Sequence, residues 1–107
     1  MNIITNDKVK LEQAVIRLKD VMDPEIGLNV VDLGLIYHVD FDHVDKVIYC
    51  AMTLTTQFCP MGESIADGVS NVLEQYFKDY NIDVKVIFDP PWNSQLISEE
   101  GREFLNR

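Results

Sequence analysis

Residues 35–52 read LIYHVDFDHVDKVIYCAM, and this stretch decides the fold. From Leu35 to Phe41 every second side chain is apolar or aromatic, which is the period of a half-buried β-strand. The segment DHVD at 42–45 predicts a turn, and a second strand is expected from Lys46 to about Thr55. The stretch therefore predicts an antiparallel β-hairpin with one apolar face.

A four-residue turn at 42–45 also predicts which residues lie opposite each other. The predicted pairs on the apolar face are Val39–Ile48, Tyr37–Cys50 and Leu35–Met52. The predicted pairs on the other face are Asp40–Val47, His38–Tyr49 and Ile36–Ala51. The hydrophobic pattern agrees with this register on both strands. The apolar members of the second face predict a contact between two copies of the chain, and they are Ile36, Val47, Tyr49 and Ala51.

Helical periodicity flanks the hairpin on both sides. Residues 8–22 carry apolar side chains three and four apart, with an N-cap expected at 5–7. The Asp-Pro pair at 23–24 ends this helix, because a residue before proline avoids the α region. A second amphipathic helix follows the Cys-Pro pair at 59–60 and is expected to run to about Tyr80.

The remaining chain predicts one more strand and a short extension. Residues 82–88 alternate in polarity, and the DPPW segment at 89–92 is expected to be extended. Ser94 or Ser98 is expected to cap a short C-terminal helix. The order helix–strand–strand–helix–strand predicts one α+β domain over 1–107, a two-layer sandwich with a small mixed or antiparallel sheet.

Composition narrows the classes of function. The chain has 107 residues and a formal net charge of −9, so we do not expect a nucleic-acid partner or adsorption to an anionic membrane. No run of ~20 apolar residues occurs and no secretory signal opens the sequence, which favours a reducing cytoplasm. The expected partners are proteins with basic patches, or cations.

The two cysteines differ in their surroundings. Cys50 lies in the middle of a strand on the apolar face, where a cysteine acts as a small hydrophobe. Pro60 fits the first position of the second helix, which places Cys59 at the N-cap, where the helix terminus stabilises a thiolate. Glu63 opposes that effect by its charge. Cys59 is therefore either a reactive or metal-ligating thiol, or a structural residue at a strand–helix junction.

Three carboxylates have two interpretations each. Asp23 and Glu25 flank a proline. They either bind a cation or orient a partner of the thiol, or they shape the turn that ends the first helix. Asp32, before Leu33-Gly34, is either a turn cap or a part of the same site. Spacing alone leaves both questions open.

The other candidates are polar or aromatic residues near the thiol in sequence or in the C-terminal segment. Thr55 and Thr56 are good strand residues that lie close enough in sequence to donate hydrogen bonds near the thiol. Trp92 either fills an edge of the core or shields a site. Neither His38 nor His43 is placed to activate the thiol, and with no CxxC pair a closed zinc site within one chain is not expected.

Three segments in this order resemble the SufT/PaaD-like family of iron–sulfur cluster assembly domains. They are DPEIGLNVVDLGLIY at 23–37, TLTTQFCPMG at 53–62 and DPPW at 89–92. The resemblance covers nearly the whole chain. It implies an α+β domain that acts in iron–sulfur protein maturation and has no ordinary catalytic activity.

The resemblance also assigns residues. The T-x-x-C-P segment of the family falls on 56–60, which makes Cys59 its key cysteine. The D-P-E segment falls on 23–25, DLGL on 32–35 and PPW on 90–92. The cofactor-binding and metal-binding residues implied are Cys59, Asp23, Glu25 and Thr56, with Asp32, Thr55, Pro60 and Trp92 in support.

One thiolate cannot hold an iron–sulfur cluster alone, since four thiolates or substitutes are usual. The resemblance therefore implies no tightly bound cofactor, and a cluster or iron held transiently with a second protomer, a partner's cysteines or a small thiol. Expected partners are iron–sulfur assembly proteins, apo-protein clients and a second copy in a homodimer. The alternatives are an enzyme that uses Cys59 as nucleophile, and an adaptor in which Cys59 is structural.

Overall fold

A mixed four-stranded sheet organises the fold. The computed structural model describes residues 3–56 and 62–106. The strands are β1 (Ile4–Thr5), β2 (Met22–Asp23), β3 (Leu28–Asn29), β4 (Ile36–Asp42), β5 (Val47–Met52) and β6 (Asn81–Val86). The helices are α1 (Lys8–Leu18), α2 (Gly62–Tyr76) and α3 (Glu99–Leu105), with a 3-10 turn at Ser94–Leu96. This order confirms the predicted α+β class.

The sheet has the strand order β1-β4-β5-β6. The central pair, β4 and β5, is antiparallel, whereas β1 runs parallel to β4 and β6 runs parallel to β5. Strands β2 and β3 form a separate two-stranded antiparallel ribbon. Strands β1, β2 and β3 were not predicted from the sequence, because a strand of two residues is too short to show a period.

The core lies between the sheet and the two long helices. Alternate residues of β5 are buried, and they are Ile48, Cys50 and Met52. The buried stripe of α1 is Leu11, Ala14, Val15 and Leu18, and that of α2 includes Ile65, Val69 and Leu73. The rings of Phe41 and Phe77 meet edge to face at 5.7 Å and join the sheet to the end of the helical layer.

The predicted pairing of the hairpin is wrong by two residues. Val39 lies opposite Cys50, and Phe41 lies opposite Ile48. The turn begins one residue later than predicted, because the Asp42 side chain accepts hydrogen bonds from two backbone N–H groups of the turn, both at 3.0 Å. A shift of two keeps each side chain on its face, which is why the predicted apolar face of β5 is confirmed.

A β-bulge at the start of β4 overturns part of the predicted outer face. The register shifts between Ile36 and His38, so that Ile36 lies opposite Met52 and is buried. Ile36 is therefore not on the face proposed for a contact between two copies. Tyr49 does lie on that face and is exposed.

Several predicted ends also differ from the structure. The first helix ends at Leu18 rather than Met22, because the chain there turns into β2. The second helix ends at Tyr76 rather than Tyr80. The second and third strands end at Met52 and Val86, earlier than predicted. Two predicted caps are confirmed, since Asp7 caps α1 and Ser98 caps α3.

Candidate functional site

The thiol segment lies between the carboxyl end of β5 and α2. Thr55 is half-buried and Thr56 is exposed at the start of this connection. Cys59 and Pro60 lie outside the described residues, so their predicted places at the helix N-terminus stay predictions.

Asp23 shapes the turn between β2 and β3. Its side chain is 1% exposed, and its carboxylate accepts a hydrogen bond from the backbone N–H of Glu25 at 2.9 Å. Its carbonyl oxygen accepts from the N–H of Gly27 at 2.8 Å. Glu25 is exposed in the same turn. The hydrogen bond to Glu25 therefore supports the interpretation of Asp23 as a turn-forming residue. That Asp23 binds a cation or orients a partner of the thiol stays a prediction.

Asp32 ties the chain before β4 to the C-terminal helix. Its carboxylate accepts one hydrogen bond from the Asn29 amide at 2.7 Å and another from the Ser98 hydroxyl at 2.8 Å. The Ser98 hydroxyl in turn accepts from the N–H of Gly101 in the first turn of α3, and Ser98 is thereby the N-cap of that helix. Asp32 thus fixes the cap of α3 to the body of the fold.

Trp92 belongs to the same attachment. Its indole N–H donates to the carbonyl oxygen of Leu33 at 2.7 Å. Next in sequence, Gly34 has a φ of +78°, and a side chain there would lie 2.3 Å from the carbonyl oxygen of Leu96. The structure brings Asp32 and Trp92 together in this attachment, which we call the C-terminal clamp and define as residues 32–34 with 92–98.

Two neighbouring polar residues were not predicted to lie together, and they are Tyr37 in β4 and Thr53 directly after β5. Burial raises the pKa of Tyr37, and the neighbouring Thr53 hydroxyl offsets part of that rise. The Tyr37 hydroxyl nevertheless donates to the carbonyl oxygen of Pro90 at 3.0 Å. Thr53 is fully buried beside it. The alternation of aromatic and polar residues in β4 was the one sequence signal for Tyr37. The sequence spacing of the threonines did not distinguish Thr53 from Thr55 and Thr56.

Cys50 is expected to resist thiol reagents in the folded protein. It is 2% exposed, and burial raises the pKa of its thiol to about 12, so the reactive thiolate is scarce at pH 8. In Cys59→Ala, where Cys50 is the remaining thiol, we expect labelling by an aromatic disulfide reagent at least about 100-fold slower than after unfolding in guanidinium. Fast labelling of the native variant would contradict the buried position.

Two features of the described residues bear on the class of site. In 3–56 and 62–106, no group of three or more His, Cys, Asp or Glu side chains is arranged to hold a metal ion. Within the same residues, no helix is long and apolar enough to cross a membrane.

Comparisons with known proteins agree on one family. Residues 11–86 match the family described as iron–sulfur cluster assembly protein. The chain is 40% identical over 82 residues to the Fe-S protein maturation auxiliary factor SufT of Staphylococcus aureus, covering 77% of this chain and 92% of that protein. It is 37% identical over 99 residues to an Fe-S protein maturation auxiliary factor of Porphyromonas gingivalis, covering 92% and 93%.

The fold also matches a solved structure. A domain of unknown function, DUF59, from Bacillus anthracis superposes with a TM-score of 0.83 at 32% sequence identity, covering 89% of this chain and 90% of that one.

Proposed function

The chain belongs to the iron–sulfur cluster assembly protein family, and on that basis we propose that it is an auxiliary factor in iron–sulfur protein maturation. It carries clusters, or helps deliver them, to apo-proteins through Cys59. The cluster is its cargo rather than a resident cofactor. The chain is not an enzyme in the ordinary sense, which agrees with the names of its relatives as auxiliary factors.

The observation that carries this proposal is the contrast between the two thiols. Cys50 is buried in the core, and burial raises the pKa of its thiol. Because a thiol must be deprotonated to ligate iron, Cys50 is poorly suited to that role. That leaves Cys59, within the T-x-x-C-P segment, as the thiol for iron. Asp23, Glu25 and Thr56 are its proposed neighbours in the site.

A second source of ligands completes the proposal. Clusters are usually held by four thiolates, and Cys59 supplies one per chain. A second protomer, the cysteines of a partner or a small thiol supplies the others. Incomplete ligation suits a protein that must release its cargo. The partners are assembly proteins and apo-protein clients, and low cysteine content supports a reducing cytoplasm as the compartment.

Anaerobic reconstitution tests the proposal. The wild type, Cys59→Ala and the matched control Cys50→Ala are incubated with ferrous iron, sulfide and a small thiol, and then desalted. We expect a visible absorption band from thiolate-to-iron charge transfer in the wild type and in Cys50→Ala, but none in Cys59→Ala, because only that variant lacks the ligating thiol.

The control separates ligation from folding. Cys50→Ala removes a core atom and costs some stability, whereas Cys59→Ala changes no side chain of the described core. A band of equal intensity in Cys59→Ala would show that the thiol does not ligate iron, and the carrier role would fall.

A further inference from the structure

A groove runs between the beginning of α2 and the end of β6. Its volume is about 470 Å³. The described residues that line it are Leu54, Gly62, Glu63, Ala66, Asp67, Val86 and Phe88. We call it the α2–β6 groove. Its first lining residue on α2, Gly62, follows Cys59 by three residues in the sequence.

One wall of the groove is the free edge of the sheet. Among residues 3–56 and 62–106, no strand pairs with the outer side of β6. The backbone N–H groups of Asn81 and Ile87 both donate at 2.8 Å toward β5 and its turn. In a parallel pair, alternate residues point their N–H and C=O groups to opposite sides. The groups directed outward therefore belong to Ile82, Val84 and Val86.

The floor of the groove is apolar and partly open to solvent. Val86 is 37% exposed and Phe88 is 36% exposed. They lie two residues apart, so both project toward the helical layer, beside Ala66 of α2. An open edge with exposed apolar residues is the surface that an added strand covers.

The rim of the groove is acidic. Glu63 and Asp67 are exposed and lie four residues apart on one face of α2. Within the described part of the chain, neither carboxylate has a basic side chain within 4.0 Å. The whole chain carries a formal net charge of −9. A second copy of this chain would bring like charge to the rim, whereas a basic segment would complement it.

We propose that the α2–β6 groove binds an extended, basic segment of an apo-protein client, which adds as a strand to the free edge of β6. Its backbone pairs with the outward groups of Val84 and Val86. Its alternate apolar side chains cover Val86 and Phe88, and its Lys or Arg side chains reach Glu63 and Asp67. That the occupant is a client rests on the proposed function, and the groove would hold the client next to the cluster that it receives.

Peptide binding tests the chemistry of the groove. The probe is a fluorescein-labelled peptide, RVTVTVTR, with two controls. The peptide RVVVTTTR has the same composition without alternation, and EVTVTVTE has the opposite charge. Fluorescence anisotropy is expected to show binding of the first peptide at least about fivefold tighter than of either control, because both alternation and charge contribute.

Substitutions in the groove test whether the peptide binds there. Glu63→Gln with Asp67→Asn is expected to weaken binding about fivefold or more and to flatten its salt dependence. The matched control Glu74→Gln with Asp79→Asn makes the same change of charge at exposed positions outside the groove lining and should bind like the wild type. Val86→Asp should abolish peptide binding, because it places a charge in the apolar floor of the groove.

Amide hydrogen exchange tests the strand pairing. The peptide is expected to slow exchange at the outward N–H groups of Ile82, Val84 and Val86, which face no strand of the described residues. Asn81 already donates to Lys46 and should change little. Equal binding of all three peptides, or unchanged exchange on β6, would overturn the proposal. Slowed exchange at high chain concentration without peptide would overturn it too, since the occupant would then be a second copy.

The same measurements in Cys59→Ala distinguish the two proposals. Peptide binding there is expected to equal that of the wild type, because no cysteine is among the described residues that line the groove. If the peptide binds but no cluster loads on the wild type, the cluster role and the client assignment fall while the strand-binding surface stands. If clusters load but the peptide does not bind, the groove proposal alone falls.

Discussion

Cluster transfer to an apo-ferredoxin is expected to fall at least about tenfold when Cys59 is replaced by alanine, to the rate set by free iron and sulfide. Even the loss of an outer-shell partner of a metal site typically costs 10–100-fold, and Cys59 is proposed as a direct ligand. Transfer is followed by the growth of the ferredoxin spectrum after the loaded chain is mixed anaerobically with the apo-protein. The free energy of unfolding is expected to change by about 1 kcal/mol or less, as for a lost helix cap.

Two further variants make the transfer result specific. Cys50→Ala should transfer at the wild-type rate, since Cys50 is buried in the core. Asp23→Asn keeps the oxygen that accepts a hydrogen bond from the Glu25 N–H but removes the negative charge. It therefore distinguishes the role of Asp23 in the turn from its proposed role in the cluster site. Slower transfer without lost stability would assign Asp23 to the site. Wild-type transfer would leave it as a turn residue.

The transfer assay also separates the carrier from its rivals. An adaptor in which Cys59 is structural would lose stability in Cys59→Ala but would still support delivery by its partners. A thiol enzyme would show turnover of a thioester or peroxide substrate that depends on Cys59. Undiminished transfer by Cys59→Ala would exclude the carrier role.

Much of the hairpin can be predicted from the sequence, because side-chain direction alternates with a period of two along a strand. An error of two residues in register therefore keeps each residue of β5 on its face. The exact pairs cannot be predicted in this way. They depend on the Asp42 side chain, which sets the start of the turn, and on Lys46, which ends it with a φ of 57°. Both are local contacts that hydrophobic periodicity does not record.

The candidate site is harder to predict because its side chains act over long separations in sequence. Trp92 bonds to a backbone oxygen 59 residues away, and Ser98 bonds to Asp32 across 66 residues. The motifs identified Asp32 and Trp92 as important without identifying their contacts, which form the C-terminal clamp. The α2–β6 groove has no motif, since Val86 and Phe88 look like ordinary strand residues until the strand order places them at an edge.

Gly34→Ala is expected to destabilise the fold by about 3 kcal/mol or more, and Gly27→Ala by about 1 kcal/mol. The two glycines have nearly the same left-handed φ, +78° and +80°. They differ in their surroundings. A Cβ at Gly27 meets nothing within 4 Å, whereas one at Gly34 would lie 2.3 Å from the carbonyl oxygen of Leu96.

The two variants therefore distinguish the cost of backbone strain from the cost of the close contact between residue 34 and Leu96. Both variants carry the same strain, so the difference in their free energies of unfolding, measured by denaturant titration, is the cost of displacing Leu96. That displacement should also break the bond from the Trp92 indole to Leu33, so the emission of Trp92, the single tryptophan, should shift only in Gly34→Ala. Equal losses of stability with unchanged emission would mean that the 3-10 turn moves aside at little cost. The C-terminal clamp would then be a loose attachment rather than a fixed part of the fold.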